Sequence, residues 1–155
     1  MDAPPTFRPP VVQRALSLPQ GTLNRWFSDG LLPYLDAAQT VAGSPRKFSF
    51  EDACTLALLK RLTDLGMSPQ AASHLAQTAV DAVDLHRDAI RELIYREYPD
   101  GSKSEVTFNG QPFRPGAVLT LSIDLHVLFS DTAARLRAAG GAVQLTGPIE
   151  VLREL

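Results

Sequence analysis

The chain has 155 residues, 45% of them hydrophobic and 21% charged, with a formal net charge of −2. That length and balance describe one ordinary globular domain, or two small ones sharing a core. They exclude a broadly basic protein held to nucleic acid by its overall field, so any DNA-binding surface must be a local patch. Residues 1–80 hold seven Lys/Arg against six Asp/Glu, and residues 81–155 hold eight against eleven. The patch is therefore sought in the first half. The single cysteine, Cys54, rules out an internal disulfide or a multi-cysteine zinc site and reads as a small buried hydrophobe. No apolar run reaches the roughly 18–20 residues that span a bilayer, and Met1–Pro10 lacks a signal-peptide core. No membrane association is expected, and the compartment reads as cytoplasmic.

In chain order, residues 1–10 are proline-rich and predict a disordered tail, because proline removes amide donors and fixes φ. Pro9-Pro10 also suit a helix start, with Val11, Val12, Ala15 and Leu16 as one apolar side. Ser17 to Gly21 is a turn. A second helix is predicted from Gln20 to Asp29, with Leu23, Trp26, Phe27 and Leu31 inward and Gln20, Gly21, Asn24, Arg25 and Ser28 outward. Gly30 suits a left-handed stop before the buried pair Leu31-Leu32. Pro33 to Ser44 reads as an extended loop or hairpin that ends in the basic pair Arg46-Lys47 and the aromatic Phe48. Ser49 with Asp52 forms a capping-box signal for a third helix, Phe50–Leu65, whose core residues are Ala53, Leu56, Leu58, Leu59 and Leu62. Ser68-Pro69 opens the next helix. Its apolar spacing continues through Ala72, Leu75, Ala79 and Val83 to Ile90, Leu93 and Ile94, predicting two helices or one bent near Asp84-Leu85.

After Tyr95 the period changes. Residues 96–101 form a turn signal, Glu105–Phe108 a short strand, and Asn109-Gly110 a hairpin signal. Ala117–Ile123 alternates as a strand does, and Asp124 can cap a helix through Arg137 that ends at Gly140-Gly141. A last strand at Ala142–Leu145 is an option. The resulting class is α+β, mostly helical, with a small sheet plus helix at the C-terminal end.

Three successive blocks within Leu18–Leu75 resemble the MerR-type winged helix-turn-helix DNA-binding domain. The first is Leu18-Pro19-Gln20-Gly21-Thr22-Leu23-Asn24-Arg25-Trp26-Phe27-Ser28-Asp29-Gly30-Leu31-Leu32. The second is Arg46-Lys47-Phe48-Ser49-Phe50-Glu51-Asp52, and the third is Leu62-Thr63-Asp64-Leu65-Gly66-Met67-Ser68, followed by Ala72. The order of the blocks makes the match more specific than a lone helix-turn-helix. The chain departs from the pattern at Asn24, where the family carries an arginine, and at Arg25 and Trp26, where it carries two tyrosines. The metal-binding cysteines of the mercury- and copper-sensing members are absent.

The chain divides into residues 1–10 as tail, 11–80 as winged helix-turn-helix, 81–98 as connecting helix and 99–155 as a small α/β dimerisation or effector region, with dimerisation assigned to the strand Ala117–Ile123 and the helix Asp124–Arg137 as the most apolar material outside the DNA-binding part. The resemblance implies a bacterial, nucleoid-associated, sequence-specific transcriptional regulator of double-stranded DNA, with RNA polymerase as a further partner, and the weak binding of a single such module makes a homodimer the expected species. A mobile-element factor of the excisionase or small-terminase type is the alternative. The chemistry of the residues fits a DNA reader. Gln20 and Asn24 can form bidentate amide contacts to adenine, and Arg25 can contact guanine or phosphate. Thr22 and the helix N-terminus suit a phosphate, as do Arg46, Lys47 and Arg14. Trp26 is read as packing. His74, His86 and His126 lack metal-ligand spacing, and Asp81, Asp84 and Asp88 read as a solvated helix surface. No cofactor, metal or catalytic residue is expected, so the chain reads as a non-enzyme.

Overall fold

The structure is a computed structural model that describes residues 6–39, 41–86, 90–99, 104–110 and 114–140. It is mostly helical. Four helices come first: α1 (Pro9–Leu16), α2 (Gln20–Ser28), α3 (Phe50–Asp64) and α4 (Pro69–His86). Three strands follow, β1 (Glu92–Glu97), β2 (Glu105–Phe108) and β3 (Leu119–Asp124), and then the helix α5 (Leu125–Ala138).

The helix boundaries follow local chemistry. Pro9 opens α1, and Ser17 closes it in the left-handed region at φ 50°, with Leu18 N donating to the Gln13 carbonyl at 2.9 Å. Gly30 does the same after α2 at φ 68°, while Leu31 N reaches the Trp26 carbonyl at 3.0 Å; a left-handed residue at that point favours glycine. The capping box is present: Asp52 N donates to Ser49 Oγ and Ser49 N to Asp52 Oδ2, both at 3.0 Å. Ser68 Oγ accepts from Ala71 N at the start of α4.

The central element is α3. Ten of its fifteen residues are buried, so it is enclosed on nearly every side rather than amphipathic. On one side it meets α4 and on another α5, which also lies against α1. One hydrophobic cluster runs through all of them, from Val12, Leu23 and Phe48 through Leu56, Leu59 and Leu75 to Leu93, Phe129 and Leu136. The sheet is antiparallel with order β2-β1-β3. Leu93 pairs with Phe108 on one side and Ile123 on the other, and Tyr95 with Val106 and Leu121. These residues share one face, and Leu93, Tyr95, Phe108, Leu121 and Ile123 all join the common core.

Four expectations are corrected. The tail predicted to reach Pro10 ends sooner: Phe7 is buried and forms an antiparallel bridge with Phe48, since an aromatic that can enter a core outweighs proline-rich neighbours. Residues 1–5 lie outside those described. Of the extended loop or hairpin expected over Pro33–Ser44, the described residues form a loop with a 3₁₀ turn at Asp36–Gln39 and no hairpin, and the extended pairing at Phe48 is made with the distant N-terminal segment. The connecting helix over residues 81–98 is also absent in that form: α4 ends at His86 and Glu92–Glu97 is the central strand. Leu93 and Ile94 are both buried, one on each face of the sheet, and such an apolar pair cannot be told from helix by period alone. Finally, Asn109-Gly110 takes left-handed φ values of 52° and 66° without joining two paired strands, because β2 and β3 flank β1. Asn109 Oδ1 instead accepts from the backbone N of Arg91 and Glu92 at 2.8 and 3.1 Å, anchoring the start of β1. Asp88 and the strand at Ala142–Leu145 lie outside the described residues, as do the side chains of Asp84 and His86.

Candidate nucleic-acid interface

Helix α2 presents two unlike faces. Leu23 and Trp26 point into the core, 2% and 5% exposed. Gln20, Gly21, Asn24 and Arg25 are exposed, and Thr22 is half-buried. Among the described residues, the side chains of Gln20, Asn24, Arg25 and Lys47 make no hydrogen bond or ion pair. Their donors and acceptors face water and are available to a partner. The expectation that Trp26 packs inward matches its burial.

The basic pair does not behave as one unit. Arg46 is half-buried, with its guanidinium 3.8 Å over the Phe27 ring. Phe27 in turn lies 6.2 Å from Phe48 at an interplanar angle of 50°. A guanidinium over an aromatic face is attracted by the ring quadrupole and keeps its charge. Arg46 is thus held against α2, with Phe48 beneath, while Lys47 beside it is exposed. Phe48 is fixed by two hydrogen bonds to Phe7, Phe7 N to Phe48 O at 2.7 Å and Phe48 N to Phe7 O at 2.9 Å.

That bridge adds a residue the sequence reading did not single out. With Phe7 opposite Phe48 in antiparallel register, Arg8 falls opposite Lys47. Arg8 is exposed, so Arg8, Arg46 and Lys47 form a short basic strip beside α2. The alternation Thr6-Phe7-Arg8 against Lys47-Phe48-Ser49 is the one signal for it in the sequence. Arg14 stands apart. Its Nη1 lies 3.5 Å from the Ala139 carbonyl, where a cation meets the negative end of the α5 dipole. The structure gives Arg14 a task in joining α1 to α5, separate from the α2 face.

The segment after α2 is tied down from behind. Ser73 Oγ on α4 donates to the Leu31 carbonyl, and Tyr34 Oη bonds to Ser73, reaching its carbonyl at 3.0 Å. Burial raises the Tyr34 hydroxyl above its ordinary pKa, against the Ser73 hydrogen bond, and Asp81 adds to the rise. The phenol therefore stays protonated and serves as a donor. Cys54 is also held protonated: complete burial, with Glu51 nearby, pushes its thiol well above its ordinary value. It has none of the thiolate character that metal binding or redox sensing needs.

An exposed amide-bearing helix, braced on a hydrophobic core and flanked by cations, is the arrangement that helix-turn-helix readers use. The family model described as MerR HTH family regulatory protein matches residues 7–79. Residues 7–79 are a MerR-type helix-turn-helix region. The match begins at Phe7, the residue that pairs with Phe48, and ends within α4. A MerR-type region points to a DNA-binding transcriptional regulator. No curated protein matches the chain. Among the described residues no helix is long and apolar enough to cross a membrane.

Proposed function

We propose that the protein is a sequence-specific transcriptional regulator that docks α2 in the DNA major groove. The observation that carries this is the state of Gln20, Asn24 and Arg25. All three are exposed on one helix, without intramolecular partners among the described residues, over a face sealed by Leu23 and Trp26. Amides at the N-terminal half of a recognition helix reach adenine edges, and an arginine reaches guanine or phosphate. Thr22 and the first amides of α2 receive a phosphate. The strip of Arg8, Arg46 and Lys47 takes the role of the wing, gripping backbone beside the groove.

With a net charge of −2, this patch is the sole source of electrostatic attraction in the reading, so one copy binds weakly and with strong salt dependence. Two copies on adjacent half-sites gain affinity through effective concentration. The working species is a homodimer, and the region after α4 supplies its contact.

Selection of bound sequences from a random duplex pool tests this. The expected result is an enriched motif with two related half-sites, lost with Gln20→Ala/Asn24→Ala/Arg25→Ala and kept with Arg14→Ala. Binding without any sequence enrichment, or enrichment unchanged by the triple substitution, would refute the assignment of α2.

A further inference from the structure

The order β2-β1-β3 leaves the outer edge of β3 without a strand partner among the described residues. Natural edges are protected by proline, by lysine, by bulges or by brevity. β3 has none of these: it runs Leu119-Thr120-Leu121-Ser122-Ile123 before its first charge at Asp124, and pairs with β1 over six consecutive residues without a break. β2 is shorter, at four residues, and starts with Glu105.

Exposed apolar side chains gather at that same edge. Val118, Leu119, Leu65 and Val127 are 67%, 49%, 58% and 61% exposed. Leu121 and Ile123 floor a groove of about 510 Å³ walled by Leu65, Val127 and Leu128, with Arg61 and Asp131 also lining it. An apolar patch rimmed by polar groups marks a protein contact.

We infer that β3 pairs antiparallel with β3 of a second copy, joining two sheets into one of six strands and closing the two grooves against each other. This rests on the homodimer reading above and specifies its interface. A two-fold axis near Leu121 sets each residue opposite one on the same face of the joined sheet. Leu119, Leu121 and Ile123 of both copies then stay on the helix-covered side, where Leu65 and Val127 of each copy meet. The rim decides for a second copy over an unrelated chain. It carries a cation on one wall, Arg61 on α3, and acids on the other, Asp124 at the N-cap of α5 and Asp131 midway along that helix, where Asp131 also pairs with Arg135 at 2.7 Å. Antiparallel pairing runs the second copy's rim in the opposite direction, and the dimer we infer sets Arg61 of each copy against the acids of the other, the self-complementarity of an isologous interface.

Sedimentation equilibrium of the full chain without DNA, up to about 100 μM, tests the pairing. The wild type is expected to be dimeric. Leu119→Lys and Val127→Glu each raise the dimer dissociation constant at least ~10-fold with unchanged far-ultraviolet circular dichroism, since both side chains are exposed. Arg61→Asp weakens the dimer and adding Asp131→Arg restores it. A wild type that stays monomeric, or Leu119→Lys and Val127→Glu variants that dimerise as the wild type does, would overturn the inference. Amide exchange gives a second readout. Protection of β3 that grows with protein concentration supports the interface, whereas protection in a dilute monomer shows that another part of the chain covers the edge and overturns it. A dimer that binds no duplex would sink the reading of α2 and leave this interface standing; a monomer that binds a single half-site would do the reverse.

Discussion

The two ends of the molecule share one core but differ in what they leave outside it. Around α3, nearly every apolar side chain is enclosed, and the exposed groups on α2 are amides, a guanidinium, the Ser28 hydroxyl and a bare glycine. Around β3 the reverse holds: Thr120, Ser122 and Asp124 alternate with Leu119, Leu121 and Ile123, and Leu65 and Val127 stand in solvent beside them. A polar, hydrogen-bonding surface suits a charged and hydrated partner such as duplex DNA. An apolar rim with charges of both signs suits another protein. One small body thus offers two surfaces of opposite chemistry.

The largest effect expected tests whether the core is truly shared. Leu136 on α5 is fully buried, and Leu136→Ala should cost about 2–5 kcal/mol. Trp26, the single tryptophan, lies in α2, so its fluorescence reports the other end of the molecule. Thermal melts should show Trp26 and circular dichroism losing structure together, at a lower temperature. If the Trp26 transition stayed in place, the two regions would be independent units.

The next effect sharpens the polar side of the contrast. Asn24→Ala should remove about 1–3 kcal/mol of discrimination at one base position of the selected site. Competition binding with single-base variants checks this. Lys47→Ala should weaken all duplexes alike and reduce the salt slope by about 1; a change in base preference instead would exchange the roles of α2 and the basic strip. The smallest effect concerns Gly21, in the first turn of α2, where an added Cβ would meet no atom within 4 Å. Gly21→Ala should raise stability by about 0.5–1 kcal/mol with no gain in DNA affinity. A parallel gain in affinity would mean that this turn does not approach the duplex closely.

The sequence made the helices legible because their signals are local. The capping box of Ser49 and Asp52, the stop at Gly30 and the apolar spacing of Leu23 and Trp26 act within a few residues. The α2 face followed from them. What stayed hidden depends on distant pairing. Phe7 looks like part of a tail until Phe48 is placed beside it. Arg46 reads as a free cation until Phe27 is brought beneath it. Glu92–Glu97 reads as helix because both faces of a central strand are covered, which erases the alternation that would reveal it. The family resemblance stops at Leu75, short of the sheet, so alternation alone marks β3 as a strand and nothing in the sequence marks its bare edge.

α5 lies against α1 and α3, close to the support of α2, and also meets β1 and β3. Helix α2 and the bare strand are therefore mounted on one shared frame. If two frames join edge to edge, the gap between their α2 helices is set as firmly as the jaws of a locked caliper. A site whose halves do not match that gap must itself be twisted or bent to fit. A smooth bend of such a site costs on the order of 1–6 kcal/mol, and here that strain would fall on the duplex rather than on the protein.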